Sequence, residues 1–288
     1  MERKPSWLRK RVNLSSCQQM QRLLRNLRLS TVCEQARCPN IGDCFGRGTA
    51  TFLILGDACT RRCSFCSVGK GKPKPVDAGE PERVAQAVRR LGLRYVVVTS
   101  VTRDDLPDGG SEQFVRTVGA IRDANPQAVV ELLIPDFLLN PAALSAVAFS
   151  GAAVIGHNVE TVPSLYPAVR PQADYRRSLE VLRRLKERSA RVLTKSGIML
   201  GLGEQRDEVL RVFEDLRAAG CDFLSIGQYL APGVCHHPVR EFVPPEVFAE
   251  LGEVAQRCGF AHVESGPYVR SSYFAEEYLR SQPERPPV

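Results

Sequence analysis

Long apolar runs are missing from this chain. Nothing approaches the ~20 consecutive apolar residues that span a bilayer, and the 43% hydrophobic and 25% charged residues are spread through all 288 positions. No membrane association is therefore expected. The opening stretch, MERKPSWLRKRVNLSSCQQM, lacks the apolar core of a signal peptide, which predicts the cytoplasm. Also lacking are a Walker sequence, a G-x-G-x-x-G fingerprint and a Ser-His-Asp set, so neither a phosphate-cradling loop, a nicotinamide fold nor a hydrolase triad is expected. No low-complexity linker or break in composition separates two domains. One large α/β unit with terminal additions is the expectation.

Cysteine, by contrast, is plentiful, at ten residues. In a reducing compartment, metal ligands or plain buried residues are expected before disulfides. Six of the ten fall into two trios. Cys59, Cys63 and Cys66 stand in DACTRRCSFCSVGK with the spacing C-x3-C-x2-C, and Cys33, Cys38 and Cys44 stand in CEQARCPNIGDC with the spacing C-x4-C-x5-C. Three is an awkward number, because a structural zinc site takes four N or S ligands and disulfides take pairs. A zinc ion completed by a distant histidine stays open for each trio. An iron–sulfur cluster is the other reading: soft thiolates suit it, and three of them leave one of four irons open to a small chelating substrate. Cys17, Cys221 and Cys258 are expected to be buried apolar residues. Cys235, His236 and His237 form either a metal group or a loop that touches substrate.

Charge is placed unevenly. Residues 1–30 carry eight Lys or Arg and one Glu, a surplus equal to the +7 of the whole chain. The basic excess is therefore an N-terminal arm. It suits an acidic partner or a nucleic acid, or is simply solvated.

Six short runs rich in β-branched residues and bounded by Gly or Pro read as buried strands: Thr49–Leu55, Tyr95–Ser100, Val129–Ile134, Ala152–Gly156, Arg191–Leu200 and Asp222–Ile226. Helical patterns follow each, among them PERVAQAVRRLG with a stop at Gly92, SEQFVRTVGAIRDAN opening on a Ser cap, and DYRRSLEVLRRLKERS. Six β-then-α units in series predict a parallel sheet, either doubly wound or a barrel, whole or partial. Functional residues then gather at the strand C-termini. The Cys59 trio begins just past the first strand, on such a loop.

C-x3-C-x2-C in that place resembles the radical S-adenosylmethionine superfamily. The ordered segments CEQARCPNIGDC, TFLILGDACTRRCSFC, VTSVTRDDLPDGG, ELLIPDF, HNVETV, TKSGIMLGLGE and RSSY resemble the lipoyl synthase family within it, from about Lys4 to Tyr273. The resemblance implies a partial (β/α)6 TIM-like barrel over residues 49–258, an N-terminal extension over 1–48 and a C-terminal extension over 259–288. It implies two [4Fe–4S] clusters. One, on Cys59, Cys63 and Cys66, would bind and cleave S-adenosylmethionine. The other, on Cys33, Cys38, Cys44 and Ser272 of the RSSY motif, with Ser271 as runner-up, would donate sulfur. The implied reaction is insertion of two sulfur atoms at C6 and C8 of a lysine-linked octanoyl group. Phe65 falls where the superfamily places an aromatic ring beside adenine. Asn158 and Glu160, with His157, would meet the ribose or methionyl carboxylate. Gln228 and Tyr229 would touch adenine, and Arg170, Lys195 and the Arg61–Arg62 pair would line the same face. Implied partners are an octanoylated lipoyl carrier domain or H protein, a ferredoxin or flavodoxin as electron donor, and an iron–sulfur carrier that rebuilds the spent cluster. Neither membrane nor nucleic acid is among them. The rival is another radical enzyme that inserts sulfur or transfers methylthio groups, with a small molecule or tRNA as substrate.

Overall fold

The computed structural model describes residues 4–8, 14–46, 49–189 and 191–280. Its frame is a sheet of parallel strands in sequence order: β1 Thr51–Ile54, β2 Tyr95–Ser100, β3 Val129–Leu133, β4 Val154–Gly156, β5 Leu193–Leu200, β6 Phe223–Gln228 and β7 His262–Gly266. A two-residue strand, Ser30–Thr31, adds antiparallel to β1 at one edge. Six helices alternate with the strands: α1 Glu80–Leu91, α2 Ser111–Ala124, α3 Pro141–Ala148, α4 Tyr175–Arg188, α5 Arg206–Ala218 and α6 Pro245–Arg257. This is the partial TIM-like barrel, open between the Ser30–Thr31 edge and β7. The sequence stops where its signals say. Gly92 takes the left-handed conformation (φ 62°) past α1, Asn140 and Asp174 cap α3 and α4, and Gln205 with Glu208 forms a capping box on α5.

Three features differ from the sequence reading. The sheet has a seventh parallel strand, β7, in register with β6 from His262↔Phe223 to Gly266↔Gly227. Ser111 does not cap α2. That role belongs to Asp108, whose carboxylate accepts hydrogen bonds from the amides of Gly110 and Glu112. Third, the basic stretch is not all solvated arm. Residues Leu14–Asn26 form a helix that buries Cys17, Met20 and Leu24 in the main core, while Arg22, Arg25 and Arg28 stay exposed. The rest of the proposed arm, at residues 1–3 and 9–13, lies outside the described residues.

The segment after β7 folds back against the barrel. Tyr278 packs on Val154, Leu193 and Phe223, the first residues of β4, β5 and β6, and so plugs the N-terminal end. Beside it Lys195 Nζ lies 3.0 Å from Glu131 Oε1 and 3.7 Å over the Tyr278 ring, and Tyr95 donates its hydroxyl to Glu131. Both charges are almost wholly buried, which requires this pairing. Lys195 is thus at the bottom of the barrel, not on the top face where the sequence reading put it. Among the described residues, no helix is long and apolar enough to cross a membrane.

Candidate active site

The chain leaves β1 through Leu55 (φ 68°) and Gly56 (φ 93°) and enters the loop of Cys59, Cys63 and Cys66. That loop is stitched down on two sides. On one, Arg61 is the anchor. Its guanidinium donates to Asp136 (2.6 and 2.9 Å) and to Asp104 (2.7 and 2.9 Å), in the loops after β3 and β2. Arg177 reaches Asp136 as well, at 2.8 Å. Two arginines and two aspartates sum to no net charge, so the cluster acts as a clamp and not as a field. On the other side Ser64 donates its amide to Val169 O (2.9 Å) and its hydroxyl to Ala168 O (2.9 Å). The amides of Arg61 and Thr102 both donate to Cys59 Sγ, 3.4 Å away.

The two trios meet at one place. A cavity of about 510 Å³ at the strand C-termini is lined by Cys59, Cys63 and Cys66 and also by Cys33, Cys38 and Ser272. An adjoining pocket of about 40 Å³ is lined by Cys33, Cys38, Cys44 and Ser272. Burial pushes the Cys33 thiol up to about 12 and Cys66 to about 11, and raises Cys63 against the opposing pull of Arg170. Such thiols give up their protons to a metal, not to water. Among the described residues no three His, Cys, Asp or Glu side chains close on a single-ion point. A zinc ion needs its donors ~2.0–2.3 Å from one centre, whereas a cluster takes one thiolate per iron and accepts a wider spread.

Ser271 and Ser272 turn opposite ways. Ser271 accepts from Asn158 Nδ2 (2.6 Å), on the side of β4, while Ser272 accepts from Thr51 Oγ1 (2.7 Å), on the side of the Cys33 trio. Gly227 makes this segment's path possible, because a Cβ there would stand 2.2 Å from Val269 O.

The remaining candidates line the same cavity. Phe65 and Tyr229 share an apolar wall with Val169, Leu202 and Met199, and Tyr229 is oriented by donating to His237 O (2.7 Å). Gln228 lines the cavity, but its amide bonds to Leu200 O, Tyr229 O and Glu241 O and accepts from Val243 N, so it braces the loops. Glu160 sits at φ 67°, accepts from Asn158 (3.1 Å), and is raised by burial. Arg170 holds Asn158 O, Val159 O and the Tyr166 hydroxyl through Nη1. Four buried polar atoms on this cavity have no protein partner: Ser100 Oγ, His157 Nε2, Asn158 Oδ1 and Arg170 Nε. A donor beside several acceptors, with Gly197 leaving room where a Cβ would meet Ser225 Oγ at 2.7 Å, fits a zwitterionic ligand carrying hydroxyls. His157 presents Nε2 as an acceptor. Burial lowers it to about 4, and its Nδ1 lies 2.9 Å from Ile134 O.

Other residues near the site are engaged by protein partners or face solvent. Arg61 is committed to its carboxylates, and Arg62 is exposed. In the RDDLPDGG loop Arg103 pairs with Asp105. Cys235 is exposed, and His237 is tied to Leu202 O at 2.9 Å. Sequence reasoning missed Thr51 and Asp136. Asp136 had a signal, since a buried carboxylate after a strand needs a cation, and Arg61 was already in view.

The model of the radical SAM superfamily matches residues 53–227, from β1 to β6. A lipoyl synthase from Geobacter metallireducens is 62% identical over 276 residues, covering 96% of this chain and 97% of that one. One from Caldicellulosiruptor saccharolyticus is 55% identical over 276 residues, with the same coverage. The chain belongs to the lipoyl synthase family. As a lipoyl synthase relative it is a radical S-adenosylmethionine enzyme of the sulfurtransferase class, and a four-iron cluster and S-adenosylmethionine go with that family. Solved structures agree on the fold alone. Methylornithine synthase has a TM-score of 0.54 at 14% identity, covering 85% of this chain and 81% of that one. The [FeFe]-hydrogenase maturase HydG has a TM-score of 0.58 at 14% identity, covering 86% and 62%.

Proposed function

We propose that this lipoyl synthase relative inserts two sulfur atoms, at C6 and C8, into an octanoyl chain amide-linked to a lysine of a carrier domain. The observation that supports this most is that Cys59, Cys63 and Cys66 share one cavity with Cys33, Cys38 and Ser272, while Cys44 lines the pocket adjoining it. A radical source and a sulfur source must share a chamber if one carbon is to meet both. Cys59, Cys63 and Cys66 would hold the cluster that cleaves S-adenosylmethionine, and Cys33, Cys38, Cys44 and Ser272 the one that supplies sulfide.

The chain's own residues bind, orient and exclude water. Arg170 Nε would take the methionyl carboxylate, and Asn158 Oδ1, His157 Nε2 and Glu160 the ammonium and ribose hydroxyls. Phe65 and Tyr229 would flank the adenine. Unactivated C–H bonds lie beyond side-chain acid–base chemistry, so no general base is assigned. The arrangement supports a division into residues 1–48, a barrel from 49, and a C-terminal part bearing RSSY, and β7 favours ending the barrel after Gly266 instead of at 258. A cytoplasmic setting, an octanoylated carrier domain or H protein, a ferredoxin- or flavodoxin-type reductant and an iron–sulfur carrier belong to the same proposal.

The test is replacement of Cys33, Cys38 and Cys44 by Ala. Reconstituted iron should fall from roughly eight to roughly four per chain, S-adenosylmethionine cleavage should persist, and lipoyl product should vanish. A triple variant that still makes lipoyl groups would defeat the donor assignment.

A further inference from the structure

Ser272 arrives at the Cys33 trio from a segment of turns, not from a strand or helix. A serine hydroxyl there has a freely rotating side chain and no rigid element behind it. A ligand held to within ~0.5 Å needs a packed supporting group. Thr51 is that group in position. It is the first residue of β1, is 4% exposed, and with Leu53 turns its side chain into the cavity. Its hydroxyl donates to Ser272 Oγ at 2.7 Å, across 221 positions of sequence. The same pocket is lined by Thr51, Ser272 and all three thiols of the trio.

We propose that Thr51 is a positioning residue for Ser272, its hydroxyl fixing the direction in which the Ser272 oxygen faces the Cys33 trio. This rests on the reading that Cys33, Cys38, Cys44 and Ser272 hold a cluster. The Thr51 proton occupies one lone pair of Ser272 and leaves another for an iron. Hydrogen-bond partners of metal ligands typically set affinity by ~10–100-fold. Ser271 receives no such support on this side, because its oxygen is bonded to Asn158. The three cysteines carry their irons by soft thiolates, so only the oxygen-held iron depends on Thr51.

The experiment compares Thr51→Val, which keeps the β-branched shape and drops the donor, with Thr51→Ser, which keeps the donor. Both are reconstituted without oxygen, and iron, sulfide, chelator sensitivity and the electron paramagnetic resonance of the oxidised protein are measured. Thr51→Val should lose one iron selectively, from roughly eight to roughly seven per chain, and show a three-iron signal. A chelator should extract that iron ~10–100-fold faster. Thr51→Ser should restore the wild-type count and signal. Ser272→Ala should give the same three-iron signal, and adding Thr51→Val to it should change little, since two groups acting through one contact are non-additive. Retained cleavage of S-adenosylmethionine in every variant would show that the fold and the first site stand. Wild-type iron and chelator rate in Thr51→Val would overturn the proposal, as would Thr51→Ser matching Thr51→Val or an additive double variant. If the Cys33, Cys38 and Cys44 triple variant keeps its full iron, the two-cluster reading itself fails. If the triple loses about four irons and only Thr51→Val is silent, the positioning role alone fails.

Discussion

Ser271 and Ser272 are neighbours in sequence but bond to different partners, Asn158 and Thr51. Iron in a sulfide cluster is normally held by sulfur, and an oxygen ligand is the harder, less well matched donor. An iron held by Ser272 should therefore leave first. Ser272→Cys is expected to assemble its cluster well and yield sulfur poorly, with 5′-deoxyadenosine still formed and partly uncoupled from product. Ser271→Ala removes only the acceptor of Asn158 Nδ2, which keeps Glu160 (3.1 Å), so its iron content should stay near wild type. Full product yield from Ser272→Cys, measured as lipoyl groups per chain, would end the labile-ligand argument. At this scale the cysteines were legible because local spacing announces them. Thr51 was not, because a threonine in a strand looks like any β-branched residue until its partner 221 positions away is known. Arg61 does line the cavity, and what spacing did not show is that Asp104 and Asp136, from later loops, cancel its charge.

Between β3 and α3 the chain makes a left-handed turn without glycine. Phe137, Leu138 and Leu139 have φ of 45°, 50° and 59°. For L-residues that conformation costs ~1–2 kcal/mol each, and it persists because both ends are pinned. Asp136 is held by Arg61 and Arg177 and accepts the Leu138 amide (3.1 Å), and Asn140 bonds Pro107 O (3.2 Å). Gly109 makes room as well, since a Cβ there would stand 2.8 Å from Phe137 Cδ1. The strained turn thus delivers Asp136 to the clamp on the cysteine loop. Leu138 is 55% exposed, so its side chain contributes little in return. Leu138→Asn, a residue that tolerates the left-handed region, is expected to raise stability by about 1 kcal/mol, read as a melting shift of ~2–4 °C. A lower melting temperature would show that strain is not what Leu138 contributes. The barrel strands were legible as dense β-branched runs. Strand β7 was not, because HVESG holds one strongly apolar residue, and pairing with β6 makes it a strand where pattern does not.

Over the whole molecule the charge asymmetry survives in altered form. The surplus within residues 1–30 remains a fact of sequence. Yet Leu8 is buried, Lys4 lines the cavity, and the helix Leu14–Asn26 packs Cys17, Met20 and Leu24 into the core. Simple truncation would therefore remove packing and a cavity wall along with charge, and could not separate steering from structure. Neutralisation can. Arg22 and Arg25 are exposed on the packed helix, and Arg9, Lys10 and Arg11 carry the densest charge ahead of it. Replacing these five by Gln leaves Leu8 and the helix core intact. If the region steers an acidic octanoylated carrier domain, KM for that domain should rise several-fold at low salt. The difference from wild type should then shrink as salt rises, because the screening length falls to ~8 Å at physiological ionic strength. A short octanoyl-lysine peptide has no acidic surface to steer, so its KM should be unchanged. Melting temperature and iron content should match wild type, since charges as exposed as those of Arg22 and Arg25 contribute little to stability. Equal losses with both substrates at every salt concentration would mean that these cations serve the fold or the cavity, and that the carrier is recognised elsewhere.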